Sequence, residues 1–199
     1  TTLSIIIHQN PVLTRYVDLF VVTAESLSSF PSMIVTGGSP SPQVIPIAPH
    51  SYRVFKGEYT FSASGPIILT TTAQDSVGQD LVATRVFQAQ LLKRASGGSV
   101  QAPGGEATLR VASTSLGEDT YFTAIPETKD PSVFGAPYTF GPERTLEAAT
   151  VAFRLPQELG TLDAAHFAVM QKTASGWTHL PSRINLAQRE VTAQVVALG

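Results

Sequence analysis

Cysteine is absent from the 199 residues, and with it go disulfides, thiolate metal ligands and cysteine nucleophiles. Charge is scarce as well. Asp, Glu, Lys and Arg make up 14% of the chain, against about 25% in an average globular domain. Thirteen basic residues stand against fifteen acidic ones, for a formal net charge of −2. No run of Lys or Arg forms the stripe that phosphate neutralisation requires, so nucleic acid is excluded as an expected partner. No apolar run approaches the ~20 residues of a spanning helix, and membrane insertion is not expected. The start, Thr1-Thr2-Leu3-Ser4-Ile5-Ile6-Ile7, is too short and too uncharged for a signal peptide, so the chain reads as a mature or excised fragment.

Recognisable catalytic and metal-binding spacings are also missing. A G-x-S-x-G nucleophile signature does not occur. His8, His50, His166 and His179 are scattered, without the H-x-x-x-H or H-E-x-x-H spacing that sets two imidazoles on one helical face. A zinc site needs three or four converging donors, and none is expected here. Calcium would need clustered oxygen ligands, yet no D-x-[DN]-x-[DN]-G loop is present. Asp75 and Asp80 flank the turn carrying Gly78, and turn formation is their expected role. The Gly-rich stretches around Gly37 and Gly104 lack the Lys-Ser/Thr ending of a phosphate loop and read as turns. The expectation is no catalytic residue, no metal and no cofactor.

What is present is apolar side chain in strand-like periods. Hydrophobic residues make up 43% of the chain, with a mean hydropathy of +0.12, enough for packed cores. Leu3 to His8 is β-branched and stopped by Pro11. In Tyr16 to Ala24 the alternation sets Val17, Leu19 and Val21 on one all-apolar face, which predicts that they point into a core. Ser32 to Thr36 and Gln43 to Ile47 are separated by Gly37-Gly38-Ser39-Pro40-Ser41-Pro42, which is turn chemistry. Tyr52 to Phe61 and Ile67 to Ala73 predict a hairpin across Ser64-Gly65-Pro66, and Leu81 to Leu91 closes the series. Within Tyr52 to Phe61, regular alternation sets Phe55, Tyr59 and Phe61 on one face and Tyr52 on the other.

Lys93 to Gly105 is rich in small residues and reads as a hinge between two β-rich modules. Beyond it, a Gly-rich turn predicts a hairpin over residues 98–111. Strands are expected at Tyr121 to Pro126, Tyr138 to Glu143, Ala149 to Pro156, His166 to Gln171, Gly176 to Pro181 and Glu190 to Val195. Helical signals are confined to single turns at Pro156 to Gly160 and Asp163 to Ala165. The expected fold class is all-β, with two antiparallel β-sandwich domains in tandem over residues 1–94 and 95–199.

These residues also carry a resemblance. Gln9-Asn10-Pro11-Val12-Leu13 with Tyr16-Val17-Asp18, and later Tyr59 to Ala73 with Asp75, Gly78 and Phe87, resemble Ig-like or fibronectin-III-like modules of bacterial surface proteins. The second half is similar to ZU5-like modules, from Leu116-Gly117-Glu118-Asp119-Thr120 with its aromatic strand through to Glu190 to Val195. Some ZU5 relatives cleave themselves at a His-Phe-Ser sequence. Here His166-Phe167 is followed by Ala168, which has no hydroxyl to attack a carbonyl, so autoproteolysis is disfavoured.

The resemblance implies a non-enzymatic structural, assembly or adhesion module of a bacterial secreted or cell-surface protein. Its partners would be other protein domains or further copies of itself. The alternative is an accessory carbohydrate-binding domain, or a domain appended to a larger secreted hydrolase. For a glycan partner the candidate ligand-binding residues are Trp177, which follows Ser175-Gly176, and Tyr52. Against this, a lone Trp commonly covers one end of a sandwich core.

Overall fold

The computed structural model describes residues 2–156 and 166–198. The chain opens with β1 (Leu3–Gln9), β2 (Tyr16–Thr23), β3 (Ser32–Thr36) and β4 (Gln43–Ile45). It continues with β5 (Ile47–Ser51), β6 (Val54–Thr60), β7 (Gly65–Gln74) and the long β8 (Asp80–Leu92). After the mid-chain turn come β9 (Gly98–Gln101), β10 (Ala107–Val111), a single 3-10 turn (Ser113–Ser115), β11 (Thr120–Pro126), β12 (Tyr138–Gly141) and β13 (Arg144–Arg154). The last four are β14 (Met170–Thr173), β15 (Gly176–His179), β16 (Ser182–Asn185) and β17 (Glu190–Leu198). The helical turns expected at 157–160 and 163–165 lie outside the described residues. Among the described residues no helix is long and apolar enough to cross a membrane.

The fold is all-β and its sheets are antiparallel. A four-stranded sheet runs β1-β2-β6-β5, a six-stranded sheet β12-β11-β8-β7-β3-β4, and a five-stranded sheet β16-β17-β13-β10-β9, while β14 and β15 form a separate hairpin. Alternation explains the first sheet directly. Val17, Leu19 and Val21 are fully buried while their neighbours on β2 are not, as period-two patterning requires.

One hydrophobic core lies between the four-stranded sheet and the six-stranded sheet, with Leu19, Met33, Phe61, Leu69 and Phe87 at its centre. A second core lies between the five-stranded sheet and the β11–β12 side of the six-stranded sheet, centred on Leu109, Phe122, Val151 and Ala193. Strand β11 serves both. Tyr121 and Ile125 belong to the first core, Phe122 and Ala124 to the second. Because successive side chains point to opposite faces, the unbroken burial from Thr120 to Ile125 covers β11 on both faces, with Thr120 and Thr123 as its polar members.

The sheet therefore runs across the expected boundary at 94/95, since β11 pairs with β8 from Thr120↔Leu92 to Ala124↔Gln88. Polar contacts cross it too. Gln9 Nε2 donates to the Tyr121 carbonyl at 2.8 Å, and Thr123 Oγ1 donates to Gln9 Oε1 at 2.8 Å. Arg85 Nη1 donates to the Ile5 carbonyl at 2.6 Å, and its Nη2 donates to the Pro126 carbonyl at 3.0 Å. The expected hinge takes a different form. Gly97 N and Ser96 N both donate to the Lys93 carbonyl, at 2.8 and 3.2 Å, and Gly98 begins β9 at once. Gly97 sits at φ +66, where a Cβ would meet the Val111 carbonyl oxygen at 2.4 Å, so only glycine suits this turn. Asp119 closes it from the other side, accepting from Lys93 Nζ at 2.8 Å and Arg94 N at 2.9 Å. These two hydrogen bonds, Lys93 first, hold the Asp119 carboxyl below its ordinary range.

Two local expectations are corrected. Strands β6 and β7 do not form a hairpin: β6 pairs with β2 and β5, and β7 with β3 and β8. Phe61, fully buried after β6, carries the chain across the core to the opposite sheet. The segment 43–47 is likewise split at Pro46, with β4 in one sheet and β5 in the other. Proline has no N–H for a ladder and marks a strand end.

Candidate functional site

Among the described residues, the second half carries an open cleft of about 1650 Å³. Six aromatic residues, Phe134, Tyr138, Phe140, Phe153, Phe167 and Trp177, reach its mixed polar and apolar lining. Tyr138 and Phe153 extend the second core outward as partly buried residues. Tyr138 packs on Phe140 at 6.5 Å and on Phe153 at 6.0 Å between ring centroids. Phe134 and Phe167 meet edge to face at 5.5 Å, a favoured aromatic geometry.

Trp177 stands in the middle of the β14–β15 hairpin, opposite Lys172. It is half-buried and belongs to neither core. Its indole Nε1 donates to Asp130 Oδ2 at 3.0 Å, and Lys172 Nζ lies 5.8 Å from the ring centroid, within cation–π range. Asp130 is itself fixed by an Asx-type turn, with its Oδ1 accepting from Ser132 N at 2.9 Å and from Ser132 Oγ at 2.6 Å. The two Ser132 hydrogen bonds and then the Trp177 indole lower the Asp130 pKa to about 2, with Lys172 adding a smaller favourable charge. The carboxylate that orients the indole is thus ionised through the whole neutral and mildly acidic range. Tyr138 is held by its hydroxyl, which donates to Glu106 Oε2 at 2.7 Å. Burial first, and then that bond, push the phenol pKa well above its ordinary value.

Tyr52 lies elsewhere. It is 79% exposed in the turn between β5 and β6, with the Arg53 guanidinium carbon 4.8 Å from its ring centroid, and it does not line the cleft. The two residues singled out for ligand contact are therefore not brought together. Phe55, Tyr59 and Phe61 do share the core-facing side of their segment. The turn reading of Asp75 agrees with its contacts, since Oδ1 accepts from Val77 N and Gln79 N, both at 2.9 Å. Among the described residues no group of three or more His, Asp or Glu side chains converges as a metal site.

Asp130 is the residue that sequence reasoning passed over. Its signal was the run Asp130-Pro131-Ser132, a turn-forming combination whose side chain is available to orient a neighbour. Nothing in the sequence links residue 130 to residue 177. No family model matches this chain, and neither a curated protein nor a solved structure matches it.

Proposed function

We propose that this chain is a non-enzymatic structural, assembly or adhesion module of a bacterial secreted or cell-surface protein. In this reading an Ig-like or fibronectin-III-like sandwich over residues 1–94 is fused to a ZU5-like sandwich over residues 95–199. The observation that supports it is the burial of β11 on both faces, which joins the two cores through one sheet rather than through a linker. A spacer or scaffold works by holding a fixed geometry, and shared burial of this kind resists bending because any bend exposes apolar surface. Other protein domains or further copies of the chain are its partners. Pulled from its two ends in single-molecule force spectroscopy, the chain is expected to yield in one rupture event. A hydrolytic activity of the purified chain, abolished by one substitution that leaves it folded, would overturn the reading.

The cleft favours a second reading, an accessory carbohydrate-binding role. An oriented indole beside a carboxylate is suited to a sugar ring, whose C–H face stacks on aromatics while its hydroxyls donate to acceptors. Lys172 takes one face of Trp177, so stacking would use the other. Glycan-array binding that is lost in Trp177→Ala while the fold persists supports this role; array signal indifferent to Trp177 counts against it.

A further inference from the structure

Three carboxylates and three strong bases line the cleft, and the two sets are held differently. Each carboxylate is already engaged. Glu106 Oε2 accepts from the Tyr138 hydroxyl, Glu127 pairs with the Arg85 guanidinium, and Asp130 accepts from Ser132 and from the Trp177 indole. The bases are Lys129, Arg154 and Lys172, all exposed. Ion pairs among the described residues are made by Lys56, Arg85, Lys93 and Arg110 instead. Two of the three bases belong to the segments that hold Trp177. Lys172 lies directly opposite it across the β14–β15 hairpin, and Lys129 immediately precedes the Asp130 that fixes the indole.

These lysines set the sign of the ligand. The Lys172 ammonium lies 5.8 Å from the ring centroid, near the outer limit of about 6 Å for a cation–π contact, and a full negative charge is the stronger partner for it. A cationic ligand would meet the lysines as like charges, and a neutral sugar would leave them without a counter-charge. We propose that the cleft takes an acidic saccharide built of uronic acid units, one ring stacked on the free face of Trp177 and its carboxylate drawn to Lys172 and Lys129. This rests on the carbohydrate-binding reading above and names its ligand class. The flexible four-carbon stem of Lys172 lets the ammonium turn to a carboxylate that projects past the edge of the indole. Asp130 is compatible with such a ligand, because its oxygens already take three donors. Of the roughly four lone-pair sites on a carboxylate, one is left for a sugar hydroxyl.

The test is titration calorimetry of the whole chain with matched tetrasaccharides that differ only in the carboxylate: tetraglucuronate against cellotetraose, and tetragalacturonate against its neutral galactose counterpart. In at least one pair the uronate is expected to bind about tenfold more tightly than its neutral partner, the scale of a charge-assisted hydrogen bond. Added sodium chloride narrows that gap, as screening requires. The double variant Lys129→Met with Lys172→Met keeps the stems without the charges and removes most of the preference, whereas Arg94→Met, outside the cleft, leaves it unchanged. Trp177→Ala, with the fold intact by circular dichroism, abolishes binding of the uronate. Neutral sugars that bind as tightly as their uronates overturn the inference and leave the carbohydrate reading standing, while binding by no member of either pair overturns both. Uronate binding that survives Trp177→Ala, or a preference that survives the double lysine variant, also overturns the inference, since the attraction then comes from charge elsewhere on the chain.

Discussion

Strand β11 and the β14–β15 hairpin lie in the same half of the chain and are held in opposite ways. β11 is buried on both faces, paired on both edges and pinned by Gln9 from the far end of the sequence. The hairpin belongs to no larger sheet, and its aromatic residue is oriented by a carboxylate from another loop. Burial fixes the frame, while a few hydrogen bonds position the cleft. Frame and cleft should therefore respond differently to mutation.

The largest effect is expected at Phe122, whose side chain is fully buried. Phe122→Ala should cost about 3–5 kcal/mol, read as a drop in the urea midpoint. Next comes the polar contact across the boundary. Gln9→Ala leaves the Thr123 hydroxyl and the Tyr121 carbonyl without this partner, at about 1–3 kcal/mol. Gly141→Ala presses on the same contact, because a Cβ there would lie 2.5 Å from Gln9 Oε1 and 2.8 Å from Thr123 Oγ1; overpacking of this kind costs about 1–3 kcal/mol. Double-mutant analysis of Gln9→Ala with Gly141→Ala should be non-additive, since both act on one contact.

Smaller effects on stability are expected in the cleft. Asp130→Asn should lower the urea midpoint only slightly but alter Trp177 fluorescence. The pH dependence has a definite sign. The folded carboxyl is depressed from 3.8 to about 2, so its contribution is present above the ordinary carboxyl pKa and is lost as pH falls through about 2. Trp177 emission should be flat from neutral pH to about pH 3 and change as pH falls through about 2, a step that Asp130→Asn removes. Smallest of all, Tyr52→Ala should shift stability by no more than about 0.5 kcal/mol. It should also leave any cleft ligand bound, because Tyr52 lies outside the cleft.

Period-two alternation made the inward face of β2 legible, and turn chemistry made the turn between β7 and β8 legible, because both are local. The hairpin expected between β6 and β7 failed for the complementary reason. Nothing local tells a turn within one sheet from a crossing between two, and the deciding fact, Phe61 packing at 5.3 Å against Tyr121, joins residues sixty apart in sequence. Strand β11 did announce itself, since Tyr121-Phe122-Thr123-Ala124-Ile125 has no polar face wide enough for solvent. Its meaning, a strand serving two cores, depends on register with β8, which a single sequence does not specify. The cleft was least legible. Trp177 could be singled out as a lone indole, but Asp130 acquires its role only when a distant loop is folded against the hairpin. Short strand β16, pairing with β17, lay in a segment with no turn signal strong enough to mark it.

The two cores share one sheet and are expected to open together. Hydrogen exchange followed by mass spectrometry on Phe122→Ala tests it most directly, by comparing protection in β2, deep in the first core, with protection in β17, in the second. Protection is expected to fall in both strands together, because the damaged strand is common to both cores. Loss confined to β17, with β2 protected as in the parent chain, would contradict it.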